Sequence, residues 1–347
     1  MLPPNLPARI QDLPPVRARF CLGVERFLLH KLALPLQGRH VVLACSAGSD
    51  SLALLLIMHC LASRLNLAIT VAHLDHSLRP ESIRESHELA QLCSRLNRPV
   101  VSGCCNVGRY ARKSGIGLEE AGRVLRYRFL SGVRHKVGAD YLFTAHHADD
   151  LAEDVLMRLI RGVGWPALSG MAAWDPGRCL VRPLLHTPKN ELRDFLRAID
   201  VSWSEDAGNT DPAFTRNRIR NTLIPLLTQE NPRFSESITR LHDQGTEDAS
   251  FFATQITPLL EQARLEDHFL QSSLLSSLHT ALRLRLYKAV LDDLGAGQTL
   301  HDTLRRLDHA RQQGRTGTTF QFPGEKTAVV RADGVHFCGP KGFPTKR

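Results

Sequence analysis

Short apolar segments alternate with stretches of helical periodicity over the first half of the chain. The apolar segments are rich in β-branched residues, which predicts strands at residues 41–45, 68–75, 98–101 and 139–145. The stretches between and after them repeat apolar residues at helical spacing, which predicts helices at residues 52–61, 81–96, 118–137 and 148–161. Because strands and helices that alternate in this way form parallel sheets, we predict an α/β fold, a Rossmann-like parallel sheet with helices on both faces.

The pattern changes after Gly162, where glycine and proline interrupt every long element and predict an irregular flap. Helices are then predicted at residues 189–199 and 219–227, and a helical segment from 234 to about 294. Short segments of alternating apolar and polar residues, separated by turn residues, predict a small β-meander from 318 to 337. The predicted parts are an N-terminal helical extension at 1–36, with a helix at 16–32, a first domain at 37–230, and a smaller accessory helical and β domain at 231–347.

Charge and composition narrow the class of partner. The 347 residues include 44 Lys and Arg against 35 Asp and Glu, a net charge of +9, so nucleic acid is the leading partner. The longest apolar stretch, residues 52–62, is too short to span a bilayer, so no membrane partner is expected. The first residues lack the features of a signal peptide, and the eight cysteines form no CxxC pair. We therefore expect reduced thiols and a cytoplasmic protein.

The segment Ser46–Ser51 follows the first predicted strand directly and precedes a helix. Its small residues allow backbone N–H groups to approach an anion, its hydroxyl groups add donors, and the helix dipole favours negative charge. No Walker A sequence occurs in the chain, and no G-x-G-x-x-G follows a strand, so conventional NTPase and dinucleotide sites are disfavoured. The segment is predicted to bind phosphate; the alternative is a serine-rich loop that only caps the helix.

This loop resembles the SGGxDS pyrophosphate loop of the N-type ATP pyrophosphatases, the PP-loop family, which split ATP into AMP and pyrophosphate while adenylating a substrate oxygen. Ala47 stands where that family usually has its first glycine. If the position requires a positive φ, alanine costs about 1 kcal/mol, and weaker pyrophosphate binding is expected. The resemblance implies ATP as cofactor, with six residues to bind it: Ser46, Ala47, Gly48, Ser49, Asp50 and Ser51.

Further segments resemble one branch of this family, the tRNA(Ile)-lysidine synthases. They are VAHLDHSLR at 71–79, EAGRVLRY at 120–127, TAHHADDLAE at 144–153 with LMRLIRG at 156–162, RPLL at 182–185 and RNRIR at 216–220. The matches run in the family's order from about residue 41 to 227, and the final meander resembles the end of the family's middle domain. The chain stops soon afterwards, so the C-terminal domain of longer members is expected to be absent.

The resemblance implies a reaction. It is the ATP-dependent ligation of L-lysine to C2 of the wobble cytidine, position 34, of an isoleucine tRNA with a CAU anticodon, through an adenylated cytidine and with Mg²⁺. The alternatives are another PP-loop enzyme, such as a tRNA thiolase or one that amidates a small molecule, and a tRNA-binding protein whose catalytic loop has decayed. The missing CxxC weakens a cluster-dependent thiolase. The oligomeric state is left open, with a homodimer as one option.

Three acidic residues begin the predicted helix at 148–161. Helical spacing places Asp149 and Glu153 one turn apart, with Asp150 close to the same face. Clustered carboxylates can hold Mg²⁺ or a cationic substrate group, whereas the alternative is a solvated helix start favoured by the dipole. With lysine as substrate, its ammonium groups suit Asp150 and Glu153, and its carboxylate suits Arg126.

Other candidate roles follow from the same resemblance. Asp50 is expected to organise ATP with its metal, and Asp50 and Asp149 are the candidate metal ligands. The lysine amine must lose a proton, which one of the carboxylates or His146 could accept. His146 beside His147 also suggests a metal hydrolase, but the pair lacks the ligand number and spacing of a zinc site. Asp75 ends the second strand and is expected to face the adenosine of ATP, or else to cap the strand end.

A basic run completes the candidates. Arg216, Arg218 and Arg220 are expected to contact tRNA phosphates, the alternative being a solvated basic helix face. A second basic group, for which the solvated face is favoured, comprises Arg283, Arg285, Lys288, Arg305 and Arg306.

Overall fold

The computed structural model describes residues 6–75, 82–203, 214–297 and 300–340. The chain divides into two compact units, residues 1–245 and 246–347. The division falls inside a long helix, α10 (Phe234–Leu265), and so lies later in the chain than residue 231. The domain boundaries at 36 and 230 stay predictions.

The first unit contains the elements up to α10. Its α-helices are α1 (Pro15–Arg26), α2 (Ser49–Leu65), α3 (Ser82–Arg95), α4 (Val107–Ser114), α5 (Leu118–Lys136), α6 (Ala148–Ile160), α7 (Lys189–Ala198), α8 (Thr215–Arg218) and α9 (Ile224–Glu230). Its strands are β1 (His40–Ala44), β2 (Ala68–Asp75), β3 (Val100–Cys104), β4 (Tyr141–Phe143), β5 (Trp174–Asp175) and β6 (Leu180–Val181). Short 3-10 helices span Ile10–Asp12, Ala167–Ser169 and Pro176–Arg178, and π-helical turns span Phe27–Lys31 and Ile219–Leu223.

The six strands form one sheet in the order β3-β2-β1-β4-β6-β5. All pairs are parallel except β5 with β6, which closes one edge in antiparallel fashion. This arrangement confirms the predicted α/β fold class. The irregular flap was predicted to contain no long element, and residues 163–188 contain none, but β5 and β6 add to the sheet there. Each of these strands has only two residues, too few to produce a periodic sequence signal.

The core of this unit is built around α2. Its apolar residues are buried on every side, as expected for a helix held between a sheet and other helices. The predicted N-terminal extension contributes to the same core through Leu13, Cys21, Val24 and Leu28. The helix predicted at residues 16–32 is α1 followed by the π-helical turn.

The second unit combines helices with a four-stranded antiparallel sheet. Its elements after α10 are β7 (Phe269–Gln271), α11 (Ser272–Ser277), α12 (Thr280–Asp293), α13 (His301–Gln312), β8 (Thr319–Phe322), β9 (Lys326–Val330) and β10 (Gly334–Cys338). The strand order is β7-β10-β9-β8, so the predicted meander is confirmed. The helical segment predicted from 234 to about 294 is observed as α10, α11 and α12, but β7 interrupts it. Pairing of β7 with the distant β10 overrides the local helical pattern.

A buried lysine stabilises the second unit. The Nζ of Lys326, fully buried, donates to the carbonyl oxygens of Leu291, Gly295 and Gly297 at the end of α12. Such donors satisfy carbonyl groups that a helix end leaves unpaired.

The eight cysteines are all free thiols. Five of them are buried, Cys104 is exposed, and Cys105 and Cys179 are half-buried. Among the described residues, no helix is both long and apolar enough to cross a lipid bilayer.

Candidate active site

The strand order of the first unit places two loops side by side. β1 pairs with β2 on one side and with β4 on the other, and Leu43 lies opposite Phe143. The chain that leaves β1 therefore runs next to the chain that leaves β4, at the carboxyl edge of the sheet. In an α/β sheet this reversal of strand order opens a crevice where ligands bind.

The loop after β1 is held in shape by its own hydroxyl groups. The Oγ of Ser51 accepts from the backbone N–H of Ser46 at 3.1 Å and donates to the carbonyl oxygen of Gly48 at 3.0 Å. Gly48 is the N-cap of α2, so Ser49, Asp50 and Ser51 form the first helical turn, whose N–H groups have no intrahelical acceptor. The loop has the backbone arrangement that anion binding needs.

Ala47 adopts φ +65°, in the left-handed region that favours glycine. Position 47 therefore requires a positive φ, the case in which alanine was expected to be less favourable than glycine. Alanine in this conformation costs about 1 kcal/mol relative to glycine, and the expected weaker pyrophosphate binding stays a prediction.

Three carboxylates from two elements surround the buried ring of His147. Its Nε2 lies 3.4 Å from Oδ2 of Asp50 and 3.3 Å from Oδ2 of Asp150, and its Nδ1 lies 3.8 Å from Oδ1 of Asp149. The Nζ of Lys189, at the start of α7, lies 3.4 Å from Oδ2 of Asp50. The Ser46–Ser51 loop and the start of α6 are thus joined by alternating positive and negative groups.

The pKa values in this cluster follow from those contacts. Burial opposes ionisation of Asp50, but His147 and Lys189 outweigh it and lower the pKa of Asp50 to about 2. Burial also disfavours protonated His147, yet the three carboxylates raise its pKa. Against the effect of burial, His147, His146 and Arg216 lower the pKa of Asp150. Asp50 and Asp150 are therefore ionised at neutral pH.

Glu153 is buried in a group of ion pairs that shares Asp150 with the His147 cluster. Its side chain is 1% exposed, and its oxygens accept from the Nε of Arg216 at 2.6 Å and the Nε of Arg220 at 2.5 Å. The Nη2 of Arg220 adds a third hydrogen bond at 3.0 Å. Asp150 lies beside this group, with Oδ1 3.5 Å from Nη2 of each arginine. Two positive and two negative side chains thus neutralise one another.

Helix geometry decides which arginines reach Glu153. Arg216 and Arg220 are four residues apart and share a face, whereas Arg218 points elsewhere, is exposed, and donates from Nη2 to Oγ1 of Thr215 at 3.1 Å. Similarly, Asp150 rather than Asp149 joins Glu153, while Oδ1 of Asp149 accepts the backbone N–H of Lys189 at 3.1 Å. The three arginines expected to act together on tRNA are therefore divided.

The remaining predicted residues lie around the same crevice. His146 is half-buried, and its Nδ1 lies 2.8 Å from Oγ1 of Thr144. Burial first, and then the positive charges of Arg182 and Arg126, lower the pKa of His146 to about 3 against the opposing effect of Asp150. Arg126 is an exposed residue of α5 that interacts electrostatically with Asp150.

Asp75 is the last residue of β2, and its carbonyl oxygen accepts the N–H of Cys105. Because β2 is parallel to β1, Asp75 lies at the same edge of the sheet as the loop. Residues 76–79, the end of the matched segment at 71–79, lie outside the described residues.

Two members of the cluster were not assigned a role from the sequence. From the sequence, Lys189 was recognised only as a helix start. It follows β6, whose carboxyl end lies at the same edge of the sheet as that of β4. His147 was considered only for a metal hydrolase with His146. In the structure it lies between carboxylates, and among the described residues the pair belongs to no group of three metal-ligating side chains.

Comparison with known proteins adds independent evidence. A family model described as a PP-loop domain matches residues 24–227. A tRNA(Ile)-lysidine synthase from Nitratidesulfovibrio vulgaris is 43% identical over 86% of this chain and 92% of its own length. The chain belongs to the tRNA(Ile)-lysidine synthase family. The resemblance drawn from the motifs is thereby confirmed, and the PP-loop match implies use of ATP.

Other members of the lysidine synthase family differ in length from this chain. The tRNA(Ile)-lysidine synthase of Geobacter sulfurreducens is 37% identical over 73% of this chain, which spans 55% of that relative. Among solved structures, a U34-tRNA thiolase from Methanococcus maripaludis superposes with a TM-score of 0.53 at 15% identity, covering 66% of this chain and 79% of the thiolase. That likeness shows the shared fold alone.

Proposed function

We propose that this protein uses ATP to ligate L-lysine to C2 of the wobble cytidine of an isoleucine tRNA with a CAU anticodon. The observation that carries the proposal is the meeting of the Ser46–Ser51 loop with the acidic start of α6 at the switch point of the sheet, in a chain of this family. An anion-binding loop beside several carboxylates suits a reaction between ATP and a cationic substrate.

In the proposed first step, the loop and the first turn of α2 bind the pyrophosphate of ATP. The C2 oxygen of the cytidine attacks the α-phosphate, and pyrophosphate leaves. Lys189 stands close to Asp50, where its ammonium group can offset the negative charge that develops on the departing phosphates. His147, held between Asp50 and Asp150, fixes the two loops relative to each other.

In the proposed second step, the lysine ε-amine displaces AMP from C2. Asp150, whose side chain is 15% exposed, is proposed to bind a lysine ammonium group, and Arg126 the carboxylate. Arg216 and Arg220 stand 3.5 Å from Oδ1 of Asp150, so an incoming ammonium group shares this carboxylate with them. A pKa of about 3 makes His146 a weak base, and the pKa values of Asp50 and Asp150 are also lowered, so none of these three groups is a strong proton acceptor.

Glu153 receives a different role from the one expected. With a 1% exposed side chain and three hydrogen bonds from Arg216 and Arg220, its carboxylate has no surface to offer lysine. We propose that Glu153 positions these arginines beside Asp150. Arg218, which is exposed, is the best placed of the three for tRNA phosphates.

Mg²⁺ fits the donor set of the site. Asp50 and Asp149 offer the hard oxygen ligands that Mg²⁺ prefers, and Mg²⁺ usually combines one or two carboxylates with substrate phosphates. The side chain of Asp149 is 46% exposed and is open to an ion that arrives with ATP. Such an ion would offset phosphate charge, while Lys189 and the loop N–H groups orient the pyrophosphate.

The test is product formation by the full chain. ATP, lysine and an isoleucine tRNA transcript are expected to give AMP, pyrophosphate and a lysine-modified nucleoside that mass spectrometry of the digested tRNA detects. A transcript with uridine at the wobble position is the matched control and should give none. Modification with a sulfur donor in place of lysine would instead support a thiolase, and tRNA binding without AMP release would support a decayed enzyme.

A further inference from the structure

Two histidines and an aspartate of the first unit converge outside the candidate active site. His186 lies between β6 and α7, and His242 and Asp243 lie on α10. The Nε2 of His186 is 3.2 Å from Nδ1 of His242 and 3.7 Å from Oδ1 of Asp243, and Nδ1 of His242 is 4.0 Å from the same oxygen. Three potential metal-ligating atoms therefore face one another.

The hydrogen bonds of His242 fix its tautomer. Its Nε2 lies 3.0 Å from the carbonyl oxygen of Met171, so Nε2 carries the hydrogen and Nδ1 presents a lone pair to the cluster when the ring is neutral. Burial lowers the pKa of His242 and lowers that of His186 to about 4, so both rings are neutral at pH 7. A ligating imidazole whose other nitrogen donates to a backbone carbonyl is typical of metal sites.

A hydrogen-bonded pair of histidines does not explain the surroundings of the Asp243 carboxylate. Its Oδ1 is buried and has no hydrogen-bond partner, while Oδ2 lies 3.1 Å from Nζ of Lys31. A buried carboxylate oxygen without a partner is costly, and such groups in folded proteins are usually paired. A hydrogen bond between the two histidines satisfies the two ring nitrogens that face each other but leaves this oxygen alone. A cation among the three atoms satisfies all of them.

We propose that His186, His242 and Asp243 bind Zn²⁺, with water as the fourth ligand. Two imidazole nitrogens and one carboxylate oxygen suit this ion, and ligands of a tetrahedral zinc ion lie about 3.3–3.5 Å from one another. The observed separations of 3.2, 3.7 and 4.0 Å each need to change by only a fraction of an ångström. The side chain of His186 is 19% exposed and leaves a route for the ion.

The location gives the ion a structural role. His186 precedes Lys189 by three residues, and Lys189 contacts Asp50 in the candidate active site. The π-helical turn Phe27–Lys31 packs on the cluster, since the ring of Phe27 lies 4.8 Å from that of His186. Zinc would hold the segment that leads into α7 against α10. Lys31 opposes zinc binding, because its ammonium group adds positive charge next to Asp243.

Zinc binding can be measured on the full chain without any assay of activity. Chelator-treated protein is titrated with ZnCl₂ against a chromophoric chelator, and one zinc per chain is expected. His242→Gln and Asp243→Asn should each weaken binding at least tenfold. His135→Gln, at an exposed histidine of α5, is the matched control and should change nothing. Cys104→Ser with Cys105→Ser removes two adjacent thiols of the three that are not buried and should leave the same single site.

Two further measurements leave all three proposed zinc-binding side chains in place. Lys31→Met removes a cation 3.1 Å from Oδ2 of Asp243 and should tighten zinc binding several-fold. Co²⁺ in the wild-type chain should show the visible absorption of a four-coordinate nitrogen and oxygen site. The proposal is overturned if zinc binding is absent, if it is the same in Asp243→Asn and Lys31→Met, or if Co²⁺ shows a thiolate band that places the metal on cysteine.

Discussion

Replacing Glu153 by glutamine tests the role that the structure gives to this residue. Its carboxylate accepts hydrogen bonds at 2.5, 2.6 and 3.0 Å from Arg220 and Arg216. Glutamine keeps one oxygen for one guanidinium but turns an NH₂ group toward the other, so that two donors face each other. The substitution therefore removes at least one charged hydrogen bond and leaves a guanidinium without its partner.

The size of the effect follows from burial. Breaking a buried ion pair costs about 3–5 kcal/mol, and we take about 3 kcal/mol because the arginine side chains are 28–29% exposed and can be partly hydrated. For a unit of this size, 1 kcal/mol shifts Tm by about 2–4 °C, so the Tm of the first unit should fall by about 6–12 °C. We also expect kcat for AMP formation to fall, since Arg216 and Arg220 lose their fixed position beside Asp150.

Calorimetry of the full chain, with and without ATP, measures the stability change, and AMP formation at varied lysine and ATP measures the functional one. Asp154→Asn is the matched control, because it breaks a half-buried pair with Arg158 on the same helix and should cost about 1 kcal/mol or less. An unchanged Tm together with a lysine KM raised tenfold or more, at constant ATP KM, would refute the argument. That result would make Glu153 a direct lysine ligand, as the sequence suggested.

Three further predictions concern other groups. Asp50→Ala should abolish lysine-dependent AMP formation and leave tRNA affinity unchanged in a filter-binding assay; wild-type turnover would contradict the placement of ATP. Arg218→Ala should lower the salt slope of tRNA binding by about one unit without altering Tm, whereas an unchanged slope would show that Arg218 does not contact phosphate. Asp308 is buried beside Arg283, and this arginine lowers the pKa of Asp308 although burial opposes the shift. The ionised carboxylate therefore stabilises the second unit fully above pH 4. This stabilisation is lost as the pH falls through the lowered pKa. The wild type should therefore exceed Asp308→Asn by about 3 kcal/mol in unfolding free energy at pH 7, with the gap narrowing below pH 4; a gap independent of pH would contradict this.

The sequence by itself determined the parts of this protein that depend on local pattern. Strand and helix periodicity predicts the α/β class, because burial of one helix stripe or one sheet face imposes that spacing on neighbouring residues. The loop Ser46–Ser51 and the acidic start of α6 could be recognised because each is a contiguous segment whose chemistry depends on adjacent residues.

Only the tertiary structure decided which groups meet. Glu153 and Arg220 are 67 residues apart, and their ion pair depends on how α6 packs against the helical turns around Arg216. Lys189 reaches Asp50 because β6 and β1 end at the same edge of one sheet, a relation set by strand order rather than by spacing along the chain. Strand β7 replaces a predicted helix for the same reason, since a pairing with β10 outweighs local propensity. Contacts between distant residues follow from the packing of whole elements, which no local window of sequence contains.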